Sequence, residues 1–137
     1  MSQFATLRRG SRRYQLNQYV GTPAIHPTAT AWSAQVVTNG GAAPSSNTIS
    51  ALSSLFYDLD AYNLTSHVKL FNCIAPDSLI AGLTPQIKGN GLALWANIGS
   101  ATIAVSTTGI NTTGAVSTAI NTGATAAGLF SSDGNAG

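Results

Sequence analysis

Apolar and polar positions follow a helical step most clearly between Ser46 and Leu64. Ile49, Leu52, Leu55, Phe56, Leu59 and Tyr62 recur there at intervals of three and four, which gathers them on one face of a helix. Ser50, Ser53, Ser54, Asp58 and Asp60 fall on the opposite face. Ser46 or Asn47 can cap the N-terminus by accepting a hydrogen bond from the free amides of the first turn. Such a helix must bury its stripe, and the flanking segments are the expected partners. None of its residues has the setting of a catalytic group.

The preceding stretch, residues 28–39, predicts a first helix with Ala29, Trp32 and Val36 on its apolar face and Thr28 or Thr30 as cap. Asn39-Gly40-Gly41 stops it, because glycine takes the left-handed conformation that closes a helix. Two helices joined by so short a loop are expected to lie antiparallel. After Asn63, Thr65 is placed to cap a third helix, SHVKLFNCI, with Val68, Leu70, Phe71 and Ile74 as its apolar positions and Pro76 as its end. Asp77 or Ser78 can then cap one more turn, SLIAGL. Residues 28–88 therefore read as a small unit of three or four short helices.

The pattern changes beyond Gly89. Leu92–Ala96 and Ala101–Val105 read as strands with Gly99-Ser100 as a turn between them. A near-repeat follows, Gly109-Ile110-Asn111-Thr112-Thr113-Gly114 and Ala119-Ile120-Asn121-Thr122-Gly123. Two copies are too few for a solenoid, and they fit two short strands closed by Asn/Gly turns. The final Ser131–Gly137 carries a turn signal, and Leu129-Phe130 has little after it to pack on, as if the β region were completed by further chain or by other copies. The expected fold class is α+β. An extended basic N-terminal arm and linker (1–27) leads to the small helical unit (28–88) and then to a Thr/Gly-rich, strand-forming region (89–137).

Charge sharpens this division. Charged residues make up 7% of the 137 positions and glutamate is absent, against about 25% charged in a typical soluble domain. A charge-poor surface suits a protein hidden in an assembly better than a free enzyme, for which charge is the usual source of solubility. Four of the six basic residues are Arg8, Arg9, Arg12 and Arg13, whereas residues 89–137 hold one charged side chain, Asp133. With Phe4, Tyr14 and Tyr19 interleaved, the arm reads as a docking segment rather than a solvated tail, since disordered tails are poor in aromatics. Its predicted partner-binding residues are Arg8, Arg9, Arg12, Arg13, Tyr14 and Tyr19. A protein partner is favoured over nucleic acid, because four arginines release too few counterions for tight binding. Gly21, Pro23 and Pro27 mark a linker, and His26 ahead of Pro27 is expected in an extended loop rather than as a ligand.

Candidate chemistry is sparse. Cys73 is the single cysteine, so an internal disulfide and a paired-cysteine metal site are excluded. No run of about 20 apolar residues is present, and no apolar segment follows the arginines to make a secretory signal. Asp58, Asp60, Asp77, Asp133, His26 and His67 are the full stock of acid–base groups. Asp58 and Asp60, two apart on a helix, do not face each other. His67 and Cys73 are six apart, which suits no common zinc spacing, and nothing in the pattern orients them as a nucleophile pair. Gly89-Asn90-Gly91 is a bare turn and a weak phosphate cradle. Trp32 and Trp95 could stack on sugars, but core positions are commoner for tryptophan. Neither a cofactor nor a metal is expected, and the chain reads as non-enzymatic.

The order of these features resembles the structural proteins of tailed bacteriophages in which a short helical segment precedes a concanavalin-like β-sandwich. The resemblance rests on an Ala/aromatic helix ending at Gly40-Gly41, the Ile49–Leu59 helix, the run Asp58-Leu59-Asp60-Ala61-Tyr62-Asn63-Leu64, then His67-Val68-Lys69-Leu70-Phe71 and a Thr/Gly-rich strand region. The aspartate-aromatic run is similar to the DLKAYGLW type of those proteins. It differs in Asp60 for the lysine, Asn63 for the glycine and no tryptophan after Leu64. The similarity covers about residues 29–90 and extends more faintly to the end of the chain.

What the resemblance implies is a capsid, neck, tail or fibre protein, located in the virion and assembled in the bacterial host cytoplasm. Its expected partners are other virion proteins and its own copies, as a trimer or ring, with no membrane. It would serve as an anchored structural part or as the base of a fibre or spike. A glycan- or receptor-binding β-sandwich module is the alternative, and a small hydrolase using His67 or Cys73 a more distant one.

Overall fold

The computed structural model describes residues 24–99, 102–113 and 119–125. It is a mixed α+β fold of helices and small antiparallel sheets. The arm, with Arg8, Arg9, Arg12, Arg13, Tyr14 and Tyr19, lies outside the described residues, as do Asp133 and the Leu129-Phe130 pair.

Helix α1 spans Pro27–Thr38 and α2 spans Ser46–Ala61. The start of α1 differs from the expectation: neither Thr28 nor Thr30 caps it. His26 does, its side chain accepting from the Thr28 amide, and Pro27 occupies the first helical turn. Proline suits that position because its missing N–H would have no intrahelical partner there, so the proline that reads as linker is the opening of the helix. The cap of α2 is Ser45, one residue earlier than expected, accepting from Thr48 N at 3.2 Å. Both helices close in the same way. Gly41 N bonds Val36 O and Gly40 N bonds Val37 O, with Gly40 at φ 88°. In α2, Leu64 N bonds Leu59 O and Asn63 N bonds Asp60 O, with Asn63 at φ 57°. These paired bonds with a left-handed residue satisfy the last carbonyls of each helix, and asparagine is the side-chain-bearing residue that tolerates that conformation best.

The expected helix over residues 66–74 does not form. A single 3-10 turn, Thr65–His67, is followed by irregular chain in which Phe71 makes an isolated antiparallel bridge to Ile87. Leu64 precedes that turn without a side-chain cap bond, and Thr65 turns its hydroxyl to Asp60 instead. A weak start and the β-branched Val68, which is extended, leave the segment free to take the bridge. The last helix, α3, is the five-residue Leu79–Leu83, capped as expected by Ser78, which accepts from Ala81 N at 3.1 Å.

The core lies where α1 crosses α2. Ala29, Trp32, Val36, Leu52, Phe56, Ala75 and Ala81 are buried together, with Leu55, Leu59, Phe71, Ile80 and Ile87 packed against them. The α2 stripe is therefore narrower than its sequence suggests: Leu52 and Phe56 are buried, while Tyr62 is exposed. Ser53, expected on the solvent face, is buried because its hydroxyl accepts the His26 amide at 2.8 Å. Phe56 and Phe71 meet edge to face, ring centroids 6.4 Å apart, the arrangement that aromatic quadrupoles favour.

Four strands follow: β1 Ala96–Ile98, β2 Thr102–Ser106, β3 Gly109–Thr113 and β4 Ala119–Asn121. Residues 92–95, expected in a strand, lie outside β1. The neighbouring strands β1 and β2 do not pair with each other; β2 pairs with β3 and β1 with β4, both antiparallel. The two ladders are successive sections of one long hairpin, separated by three residues on the outgoing side and five on the return. The near-repeat thus supplies both returning strands. Opposite pairs Ile103–Thr112 and Val105–Ile110 share one face, since directly opposed residues of an antiparallel ladder point the same way. Ile103 on that face is buried.

That face sits on α3. A Cβ built on Gly82 would lie 2.7 Å from Val105 Cγ2 and 3.2 Å from the Ala75 carbonyl oxygen, so only hydrogen at this position lets strand and helix approach so closely. Polar bonds tie the same surfaces. Trp95 N donates to Leu83 O at 2.8 Å, and Asn39 Nδ2 donates to Thr84 Oγ1 and Ala93 O.

Candidate functional site

The densest polar cluster among the described residues joins the entry of α1 to the exit of α2. His26 is buried and uses all of its hydrogen-bonding groups. Its amide donates to Ser53 Oγ, and its carbonyl accepts from Thr30 N at 3.1 Å. Nδ1 accepts from Thr28 N at 3.1 Å, and Nε2 lies 2.9 Å from Asp60 Oδ2. Because Nδ1 accepts, the ring proton of the neutral imidazole sits on Nε2 and is donated to Asp60. The ring stacks on Phe56 at 5.5 Å and meets the edge of Tyr57 at 4.8 Å. Tyr57 in turn donates its hydroxyl to Ala24 O at 3.1 Å.

Asp60 receives this histidine on Oδ2 and the Thr65 hydroxyl on Oδ1. The Thr65 hydrogen bond first, and the His26 bond after it, hold the carboxyl below its ordinary value of 3.8. Beside it Asp60, Asn63, Thr65 and Ser66 line an open recess of about 340 Å³. A depressed carboxylate contributes stability that is present above its unfolded value and is lost as pH falls through the folded one. Urea unfolding midpoints are therefore expected to drop as pH falls below about 3.8, and to drop less steeply in Asp60→Asn. Parallel pH profiles for the two proteins would show that the carboxylate carries no such linkage.

A histidine backed by a carboxylate has the look of a general base, but the second nitrogen decides its chemistry. A catalytic imidazole offers its free nitrogen to a nucleophile, and here that nitrogen is occupied by a backbone N–H. The pair works as a clamp between two helices.

The other residues singled out from the sequence are not brought together. Asp58 and His67 are exposed, one on α2 and one in the 3-10 turn. Cys73 is exposed as a residue, yet partial burial of its sulfur pushes the thiol up, and Asp77 adds to the rise, opposite to the shift that makes a reactive thiolate. Asp77 is pushed up by burial, but bonds from the Ser45 amide and the Thr48 hydroxyl outweigh this and leave it lowered. It braces the cap of α2. Trp32 is buried and donates its indole N–H to Thr84 O at 2.9 Å. Trp95 is half-buried with its indole nitrogen inside. In the Gly89-Asn90-Gly91 turn, Asn90 donates to Thr125 Oγ1, which makes the turn a fastening for the end of the hairpin. Among the described residues no group of three His, Cys, Asp or Glu side chains stands close enough to hold a metal ion. No helix among them is long and apolar enough to cross a membrane.

Sequence reasoning missed the roles of His26, Ser53 and Thr65. One signal for His26 was available: a polar residue directly before a proline at a helix start is in the capping position. The 34-residue separation from Asp60 carries no such signal.

No protein family, curated protein or solved structure matches this chain.

Proposed function

We propose that the chain is a non-enzymatic structural protein of a tailed-bacteriophage virion. It anchors to neighbouring capsid, neck or tail proteins through its basic arm and assembles with its own copies. The observation that carries this reading is the hairpin. The described residues of 89–125 contain no charged side chain, and the four strands contain no proline. Sheet edges are ordinarily guarded by lysine, proline or bulges against pairing with another chain. Strands left without such guards suit a protein whose edges are meant to be covered in an assembly. The 28–88 unit is the rigid body of the proposal, and residues 1–20 with Arg8, Arg9, Arg12 and Arg13 its anchor.

The alternatives have less support. Trp95, the aromatic candidate for a glycan platform, turns its indole nitrogen inward, and a hydrolase using His67 or Cys73 has an exposed histidine and a thiol that burial pushes up, away from the reactive thiolate. Deleting residues 1–20 is expected to abolish incorporation into particles, read by mass spectrometry of sedimented virions, while the circular dichroism of the helices is retained. Normal incorporation of the truncated chain would remove the anchoring role. Recovery of the intact protein only as a free monomer would remove the virion reading itself.

A further inference from the structure

His26 combines three features that a simple capping residue does not need. Its side chain is an imidazole, it caps through the nitrogen that protonation would convert from acceptor to donor, and it stands at the entry of α1. Asn, Ser or Thr would cap equally well without a pH-dependent acceptor. We propose that His26 is a proton-operated latch: protonation of Nδ1 expels the Thr28 amide, opens the first turn of α1 and loosens Ala24–His26 from α2.

The geometry sets which side opens. Asp60 already accepts from Nε2–H, and the cation keeps that bond with a full charge pair added. The Thr28 amide, 3.1 Å from Nδ1, would instead face a second N–H. Release is therefore one-sided, with the ring held by Asp60 while the backbone of α1 lets go. The titratable groups facing the ring are Asp60 and Tyr57, both from α2. Helix α1 carries no titratable side chain, and the 3-10 turn contacts the site through Thr65 on Asp60, with His67 exposed in the same turn. The ring pairs with Asp60, and Lys69, just beyond the 3-10 turn, directs its ammonium to Ser66 O at 3.3 Å. Asp60 is held below 3.8, so it remains the anionic partner while imidazole titrates. The latch does not depend on the virion reading, since it needs only the fold.

The test is NMR of the full chain between about pH 7.5 and pH 4.5, the window in which imidazoles titrate. The ring nitrogen shifts of His26 report tautomer and protonation, and hydrogen exchange reports Thr28 and Thr30, corrected for the intrinsic pH dependence of exchange. The expected result is an Nε2–H tautomer at the upper end, with protection of the Thr28 amide falling about fivefold or more, the scale of a lost N-cap, in step with ring protonation. In His26→Asn, which keeps a capping oxygen but does not titrate, protection is expected to stay level. Ring protonation without loss at Thr28, a ring that stays neutral to the bottom of the window, or equal pH dependence in His26→Asn would each overturn the latch. The wild-type titration decides alone should the variant fold poorly.

Discussion

Phe56→Ala is expected to lower the unfolding free energy by about 3–5 kcal/mol, the range for removing a buried aromatic ring. Phe56 is 0% exposed and is the largest fully buried side chain among the described residues. Its ring meets Phe71 edge to face and lies against His26, and it belongs to the cluster of Trp32, Val36 and Leu52. Removing it deletes the surface that α1, α2 and the Phe71–Ile87 bridge share, and a two-helix core has few side chains able to collapse into the space. A protein of this size has about 5–15 kcal/mol of stability in all, so the loss removes a large share of it. Urea unfolding followed by circular dichroism measures it. Tyr62→Ala is the contrast: Tyr62 lies on the same predicted stripe but is 73% exposed, and a change of under about 0.5 kcal/mol is expected there. Equal losses at the two positions would mean that the periodic stripe, rather than the observed crossing of α1 and α2, describes the core.

Gly82→Ala tests how the hairpin is seated. On helix propensity alone the change should stabilise by roughly 1 kcal/mol. The added Cβ, however, would stand 2.7 and 2.8 Å from the two Val105 methyls and 3.2 Å from the Ala75 carbonyl oxygen. Val105 is on a strand and Ala75 is backbone in the core, so neither can turn away as a long side chain would. Overpacking of this kind costs about 1–3 kcal/mol, and the sign of the net effect separates the two terms. The expected result is net destabilisation by about 1–3 kcal/mol, with part of the loss recovered in Gly82→Ala/Val105→Ala, where the methyls are gone. Stabilisation by Gly82→Ala would show that β2 does not rest on α3.

Local signals carried much of the fold. The 3.6-residue step of Leu52, Phe56 and Leu59 marks α2, and Asn39-Gly40-Gly41 marks the end of α1, because both depend on neighbours within a few positions of the chain. The same holds for Ser78 ahead of α3 and for the repeated Ile-Asn-Thr strands. The mixed class and the change of character near Gly89 follow from these. Residues 66–74 read differently, since Val68, Leu70, Phe71 and Ile74 satisfy a helical pattern as well as an extended one. Only the Phe71–Ile87 bridge, across 15 intervening residues, selects the extended form.

The site was the least legible part for the same reason. His26 and Pro27 announce a helix start locally, but Asp60 and Ser53 reach His26 only because α2 folds back beside α1. The pairing of β1 with β4 across the β2–β3 hairpin likewise depends on contacts between residues far apart in sequence. By itself the amino-acid sequence determined where α1 and α2 run to within a few residues, which side chains are apolar enough for a core, and how little charge the β region carries. The tertiary structure alone decided which polar groups meet. A hydrogen bond between distant residues depends on angstrom-scale placement, and the pattern of residue types along the chain does not encode that placement.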